Sequence, residues 1–185
     1  MSKVIIGIVG EIASGKTTIT DYLKSNYQAV SFRFSNILRD ILERLHLPQD
    51  RKNLQTLSSA LRQNFSEDIL SRVLSEDAQH ADAPIVITEG IRRPSDIVYL
   101  KNLPGFVLIA VQADEHTRFE RLIERSENPD DRSKTWEQFQ KDGKAEAEQD
   151  IKEIAKSAQY TIDNNGDVQQ TYAQMQEIMQ KLKLS

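Results

Sequence analysis

Between an apolar run, VIIGIVG (residues 4–10), and a stretch with helical spacing stands GEIASGKTT, residues 10–18. It satisfies G-x-x-x-x-G-K-[ST] at every restricted position, through Gly10, Gly15, Lys16 and Thr17, in the strand-before, helix-after setting that the pattern requires. Glycines let a backbone curl until successive N–H groups converge, and a helix start adds roughly half a positive charge. The matching ligand is a polyphosphate. Lys16 is expected to reach the β and γ phosphates and the Thr17 hydroxyl to ligate Mg²⁺, while Ala13, Ser14 and Thr18 supply further contacts to the phosphates. The plainer alternative is an ordinary strand-to-helix turn with a solvated lysine, and it leaves the complete pattern unexplained.

The rest of the chain alternates short β-rich runs with longer amphipathic patterns. The runs are VIIGIVG, AVSFRF (29–34), PIVIT (84–88), GFVLIAV (105–111) and QYTI (159–162). This alternation predicts an α/β fold with a parallel sheet. The first, third and fourth runs are continuously apolar, as expected of central strands covered on both faces. Between them TTITDYLKSNY, NILRDILERLH, residues 52–80, SDIVYLKNL, EHTRFERLIER, residues 134–157 and VQQTYAQMQEIMQKL are expected to form helices. SENPDDRSK (126–134) reads as an exposed loop. A chain of 185 residues suits one domain. With no cysteine it has no disulfide framework and no thiolate metal site, and no window reaches the roughly 18 apolar residues of a membrane span, so a cytoplasmic protein is expected. The 24 basic and 28 acidic residues argue against coating nucleic acid, although a local basic cleft remains compatible with it.

No Asn-Lys-x-Asp tetrapeptide marks a guanine-specific switch protein, and a small phosphotransferase fits the length better than a mechanical ATPase. Phosphoryl transfer is catalysed by positioning and by cationic clamping of the spreading charge. Arg118, Arg121 and Arg125 stand at i, i+3 and i+7, one stripe of a helix, with Arg132 in the loop beyond. They are expected to close over a bound triphosphate; the alternative is a solvated face paired with Glu115, Glu120 and Glu124. Glu89 ends the third run, where ligands gather in open α/β sheets, and is a candidate to hold Mg²⁺ or orient the acceptor. Arg92 and Arg93 follow it, and Pro94 opens the next helix. Acceptor specificity is expected between the second and third runs, from Arg33, Ser35, Arg39 and Arg62. Asp40 is compatible with a general base or with a carboxylate at a helix start. His46, His80 and His116 have no metal-ligand spacing, and Met175 and Met179 read as core.

GEIASGKTT, EGIRRPSDI, RFERLIER, SENPDDR, WEQF and YTIDNNG together resemble the nucleoside monophosphate kinase group of P-loop proteins, most closely the adenylate-kinase-related and dephospho-CoA-kinase-like members. The resemblance implies a three-layer P-loop kinase fold with a five-stranded parallel sheet of order 2-3-1-4-5. It also implies an acceptor-binding helical flap at about 35–80, a lid at about 121–145, and ATP with Mg²⁺. By position Arg121 would lie near the adenine and phosphates, Arg125 would be the lid arginine, and Arg39 and Arg92 would meet the acceptor. Asn164 or its neighbours would border the adenine. Two departures stand out: Glu89 replaces the usual Asp, and Lys141-Asp142 stands where Arg-Asp is expected. The expected partners are ATP and a small phosphate-bearing acceptor, in a monomer or homodimer. A kinase for a polynucleotide base or end and a non-catalytic nucleotide-binding module remain open beside the small-acceptor kinase.

Overall fold

A computed structural model describes residues 3–124, 131–144 and 146–183, and the side chains of all of these but 146–148 and 183. Five strands, β1 (Val4–Val9), β2 (Val30–Arg33), β3 (Ile85–Glu89), β4 (Phe106–Gln112) and β5 (Tyr160–Asp163), form one parallel sheet in the order β2-β3-β1-β4-β5. Parallel pairing requires a crossover between successive strands: α1 (Lys16–Tyr27) lies between β1 and β2, α2 (Phe34–Arg44), α3 (Arg51–Asn64) and α4 (Ile69–His80) between β2 and β3, short 3-10 turns between β3 and β4, and α5 (Glu115–Glu124), α6 (Trp136–Gly143) and α7 (Glu146–Lys156) between β4 and β5, while α8 (Val168–Lys183) follows β5.

The side chains sort as the apolar runs predict. β3 is buried throughout, β1 in all but its first residue and β4 along its centre, whereas the edge strands β2 and β5 are mostly half-exposed or exposed. Alternation along β1 sends Ile6 and Ile8 to one face, against Ile19 and Leu23 of α1 and Met175 and Met179 of α8. Val9 joins the opposite layer with Phe34 and Leu38 of α2, Leu70 and Leu74 of α4, and Ile151 and Ile154 of α7. The helices therefore cover both faces, and the two methionines are core.

Some expected helices differ. Residues 52–80 break into α3 and α4 at 65–68, and residues 134–157 into α6 and α7. SDIVYLKNL forms two short 3-10 helices, Pro94–Ile97 and Leu100–Asn102, instead of an α-helix. Proline opens the first, and the Asp96 carboxylate draws in the amides just upstream, which tightens the turn. Asp40 lies in the middle of α2, away from its start. Residues 126–130 of the expected loop lie outside the described residues, and its remainder begins with a 3-10 turn at Asp131–Ser133. Among the described residues no helix is long and apolar enough to cross a membrane.

Candidate active site

The crossover from β1 to α1 is the GEIASGKTT loop, and its shape depends on two glycines. A Cβ on Gly10 would overlap the Val111 carbonyl of β4 and Ser14 Oγ. Gly15 has φ +97, and a Cβ there would overlap the Asn164 amide. Ala13 also adopts left-handed φ, at 59 degrees, a cost that a non-glycine residue accepts where the surroundings enforce it. Ser14 N–H donates to the Glu11 carbonyl at 3.2 Å, closing the turn. Lys16 Nζ folds across it and donates to the Gly10 and Glu11 carbonyls at 2.7 and 2.8 Å. Among the described residues no side chain caps α1, so the loop ends in first-turn amides of the kind every helix start leaves unfilled, beside a buried Ser14 Oγ without a hydrogen-bond partner there.

Two anchors hold the loop from outside. Asn164, just after β5, donates from Nδ2 to the Ser14 carbonyl at 2.8 Å and accepts the Thr171 hydroxyl at 2.6 Å. On the other side Arg118 of α5 donates to Glu11 Oε1 at 3.0 Å, to the Ile12 carbonyl at 3.3 Å and to the Ala113 carbonyl at 3.2 Å. Lys152 of α7 lies 3.5 Å from the same Glu11 oxygen.

Across the sheet, Arg33 and Glu89 are register partners at the carboxyl ends of β2 and β3. Arg33 donates from Nε and Nη2 to Glu89 Oε2 at 3.1 and 2.9 Å. The Glu89 side chain is 9% exposed, and its Oε1 has no hydrogen-bond partner among the described residues. Arg33 also lines a groove of about 530 Å³ with Asn36, Arg39, Asp40, Gln49 and Asp77. Burial first, and then the charge of Asp40, push the Asp77 carboxyl above its ordinary range, against the opposing pull of His80.

Residues 6–150 match the model of the AAA domain, most of the chain. The chain belongs to the AAA domain family. The UPF0200 protein of Methanothermobacter thermautotrophicus is 26% identical over 186 residues, covering 98% of this chain and 92% of that one. The UPF0200 protein of Methanococcus maripaludis is 28% identical over 167 residues, 88% of each. Among solved structures, shikimate kinase from Bacteroides thetaiotaomicron superposes with TM-score 0.66 at 17% identity over 97% of this chain and 98% of that one. Shikimate kinase from Aquifex aeolicus gives TM-score 0.56 at 15% identity, covering 98% and 99%. Fold and loop together make this AAA-domain chain a P-loop protein with a kinase-type sheet.

The expected residues have distinct positions in this AAA-domain chain. Gly10, Ala13, Ser14, Gly15, Lys16, Thr17 and Thr18 form the loop and the start of α1. Thr17 is exposed there, while one buried Glu89 oxygen is unpaired among the described residues. Among the described residues no group of three acidic or histidine side chains could hold a metal. A divalent cation shared between phosphates and one or two protein oxygens is what Mg²⁺ prefers, and this donor set fits it. Arg121 lies half-buried on α5, its Nη1 without a hydrogen-bond partner among the described residues, and Arg125 lies outside the described residues. Arg39 is exposed and only 3.4 Å from Gln49 Oε1; Arg92 is exposed with no side-chain partner among the described residues.

Two arginines depart from expectation. Arg118 is not on a solvent-facing cationic row: it is buried, bonded to the phosphate loop, with its guanidinium 5.4 Å above the Phe139 ring. Phe139 and Trp136 of α6 in turn pack on Phe119 of α5. Arg62, expected at the acceptor, is also buried, with both terminal nitrogens engaged by Glu67, Ser95 and Asp96. Glu11 escaped the sequence reading because the x positions of the loop pattern are unrestricted. Asn164 was visible only through resemblance, and it reaches the loop backbone.

Proposed function

We propose that the protein is an ATP-dependent kinase that moves the γ-phosphoryl group to a small phosphate-bearing acceptor, of the (deoxy)nucleoside monophosphate or dephospho-CoA type. The observation that carries the reading is the loop itself: a complete G-x-x-x-x-G-K-[ST] turn at an uncapped helix start, with the buried Ser14 Oγ lacking a partner among the described residues. The loop amides, Ser14 and Thr18 cradle the α and β phosphates, and Lys16 releases its loop carbonyls to reach the β and γ phosphates. Thr17 and the free oxygen of Glu89 would hold Mg²⁺. The bound ion would neutralise charge between the β and γ phosphates.

Arg121, and Arg125 from the lid at 121–145, clamp the moving group. Arg33, Arg39 and Arg92 meet the acceptor below the flap at 35–80. In the transfer an acceptor oxygen forms a bond to γ-phosphorus while the bond from γ-phosphorus to the β–γ bridging oxygen breaks; ADP leaves with the electron pair, and a hydroxyl acceptor gives up its proton to solvent. A monomer or homodimer working in the cytoplasm completes the reading.

The test is transfer from labelled ATP across mononucleotides, dephospho-CoA, shikimate and oligonucleotides. Acceptor-dependent ADP release that disappears in Lys16→Ala is the expected result. Transfer to DNA or RNA alone would move the assignment to a polynucleotide kinase. Tight ATP binding without transfer to any member of the panel would make it a nucleotide-binding module.

A further inference from the structure

Beyond Glu89 the chain turns at Gly90, with φ +86, and buries Ile91 in the core layer of α2 and α4. The next two amides, of Arg92 and Arg93, both donate to Asp96 Oδ2, at 2.9 and 3.0 Å. Oδ1 of the same carboxylate accepts Arg62 Nη2 at 2.8 Å. Asp96 is 3% exposed and Arg62 8%. Arg62 Nη1 meanwhile reaches Ser95 Oγ at 3.3 Å, Glu67 Oε1 at 3.3 Å and the Glu67 carbonyl. One guanidinium thus joins the end of α3, the α3–α4 connection and the loop after β3.

A buried ion pair is a poor source of stability, because desolvating both charges offsets most of their attraction. What it does supply is geometry. With both amides of residues 92 and 93 turned inward onto one carboxylate, the backbone at Arg92 has little freedom while its side chain stays exposed. We propose that Arg62 and Asp96 are positioning residues: they latch the loop at 90–93 to the helical flap and hold Arg92 toward the phosphate of the acceptor. Arg62 itself does not touch the acceptor. The proposal rests on the kinase reading for the acceptor, but the latch does not.

Two measurements separate them. Hydrogen exchange without any ligand compares the native protein with Arg62→Met and with Arg62→Met/Asp96→Asn, the second leaving no unpaired buried charge if the single variant fails to fold. The amides of Arg92 and Arg93 are expected to exchange at least roughly tenfold faster in these variants while β1 and α1 keep their protection. Unchanged protection at these two amides overturns the latch, whatever the protein phosphorylates. Calorimetry then follows inorganic phosphate binding to protein whose phosphate loop is filled with Mg²⁺ and ADP. Asp96→Asn is expected to weaken phosphate binding roughly tenfold, and Arg92→Ala/Asp96→Asn to bind no worse than Arg92→Ala alone. Equal affinity in Asp96→Asn, or losses that add, overturns the positioning role. A panel of acceptors that all fail would end the kinase reading and leave the exchange result standing.

Discussion

Asn164 Nδ2 lies 2.8 Å from the carbonyl oxygen of Ser14, so a side chain at the end of the last strand holds a backbone turn 150 residues earlier. The anchor is itself buried, and its other face is fixed by the Thr171 hydroxyl. Asn164→Ala would leave the Ser14 carbonyl and the Thr171 hydroxyl without these partners. An expected loss of about 1–3 kcal/mol follows, measured as a lower urea midpoint with unchanged slope, together with weaker ATP binding. An unaltered midpoint and affinity would show that the contact contributes nothing.

Gly15 and Gly143 should respond in opposite ways to the same change. At Gly15 a methyl group meets the Asn164 amide in a left-handed backbone, so Gly15→Ala should cost more than about 1 kcal/mol and remove nucleotide binding. At Gly143, the last residue of α6, an added Cβ would meet no atom within 4 Å among the described residues outside its own helix turn, and φ is not positive. Gly143→Ala should stabilise by about 0.4–1 kcal/mol and leave binding intact. Thermal melts and ATP calorimetry on both variants decide it.

Arg118 joins α5, the phosphate loop and the ring of Phe139, and its roles are hard to mimic with one flexible ammonium. Arg118→Lys is expected to lose about 1–3 kcal/mol of stability and to weaken ATP binding, with Glu11→Gln producing part of the same loss. A Lys variant that melts and binds like the native protein would contradict the anchor.

The raised carboxyl of Asp77 gives a pH signature. Its folded-state proton affinity exceeds the usual value of 3.8, so the native state binds more protons than the unfolded one in that window. Stability should therefore fall as pH rises from about 3.8 through the folded value, then level off with respect to this group. Asp77→Asn should remove this component, so its urea midpoint gains on the native protein across the window. Asp40→Asn should shrink the effect, since Asp40 is the second cause. Parallel pH profiles for native and Asp77→Asn proteins would refute the sign.

The phosphate loop was legible because its restricted positions reflect backbone needs that any neighbouring structure must respect, and the five strands because their burial is written as runs of apolar residues. The expected sheet order matches the observed one. The break at 65–68 was harder to see, since polar helical spacing continues through it and Phe65 is exposed. The site beyond the loop was read unevenly. Arg33, Arg39, Arg62, Arg92 and Arg118 look alike in sequence, yet two of them are buried anchors.

Local chemistry alone determined that a phosphate-loop turn stands between β1 and α1, because the pattern's restricted positions, Gly10, Gly15, Lys16 and Thr17, are written in the chain itself, and that alternating apolar and amphipathic runs build a parallel sheet. Tertiary structure decided which cations stay available. Arg62 and Arg118 meet carboxylates that lie 34 and 107 residues away in the chain, and burial makes an unpaired charge costly enough that those distant partners, not local spacing, set each arginine's role.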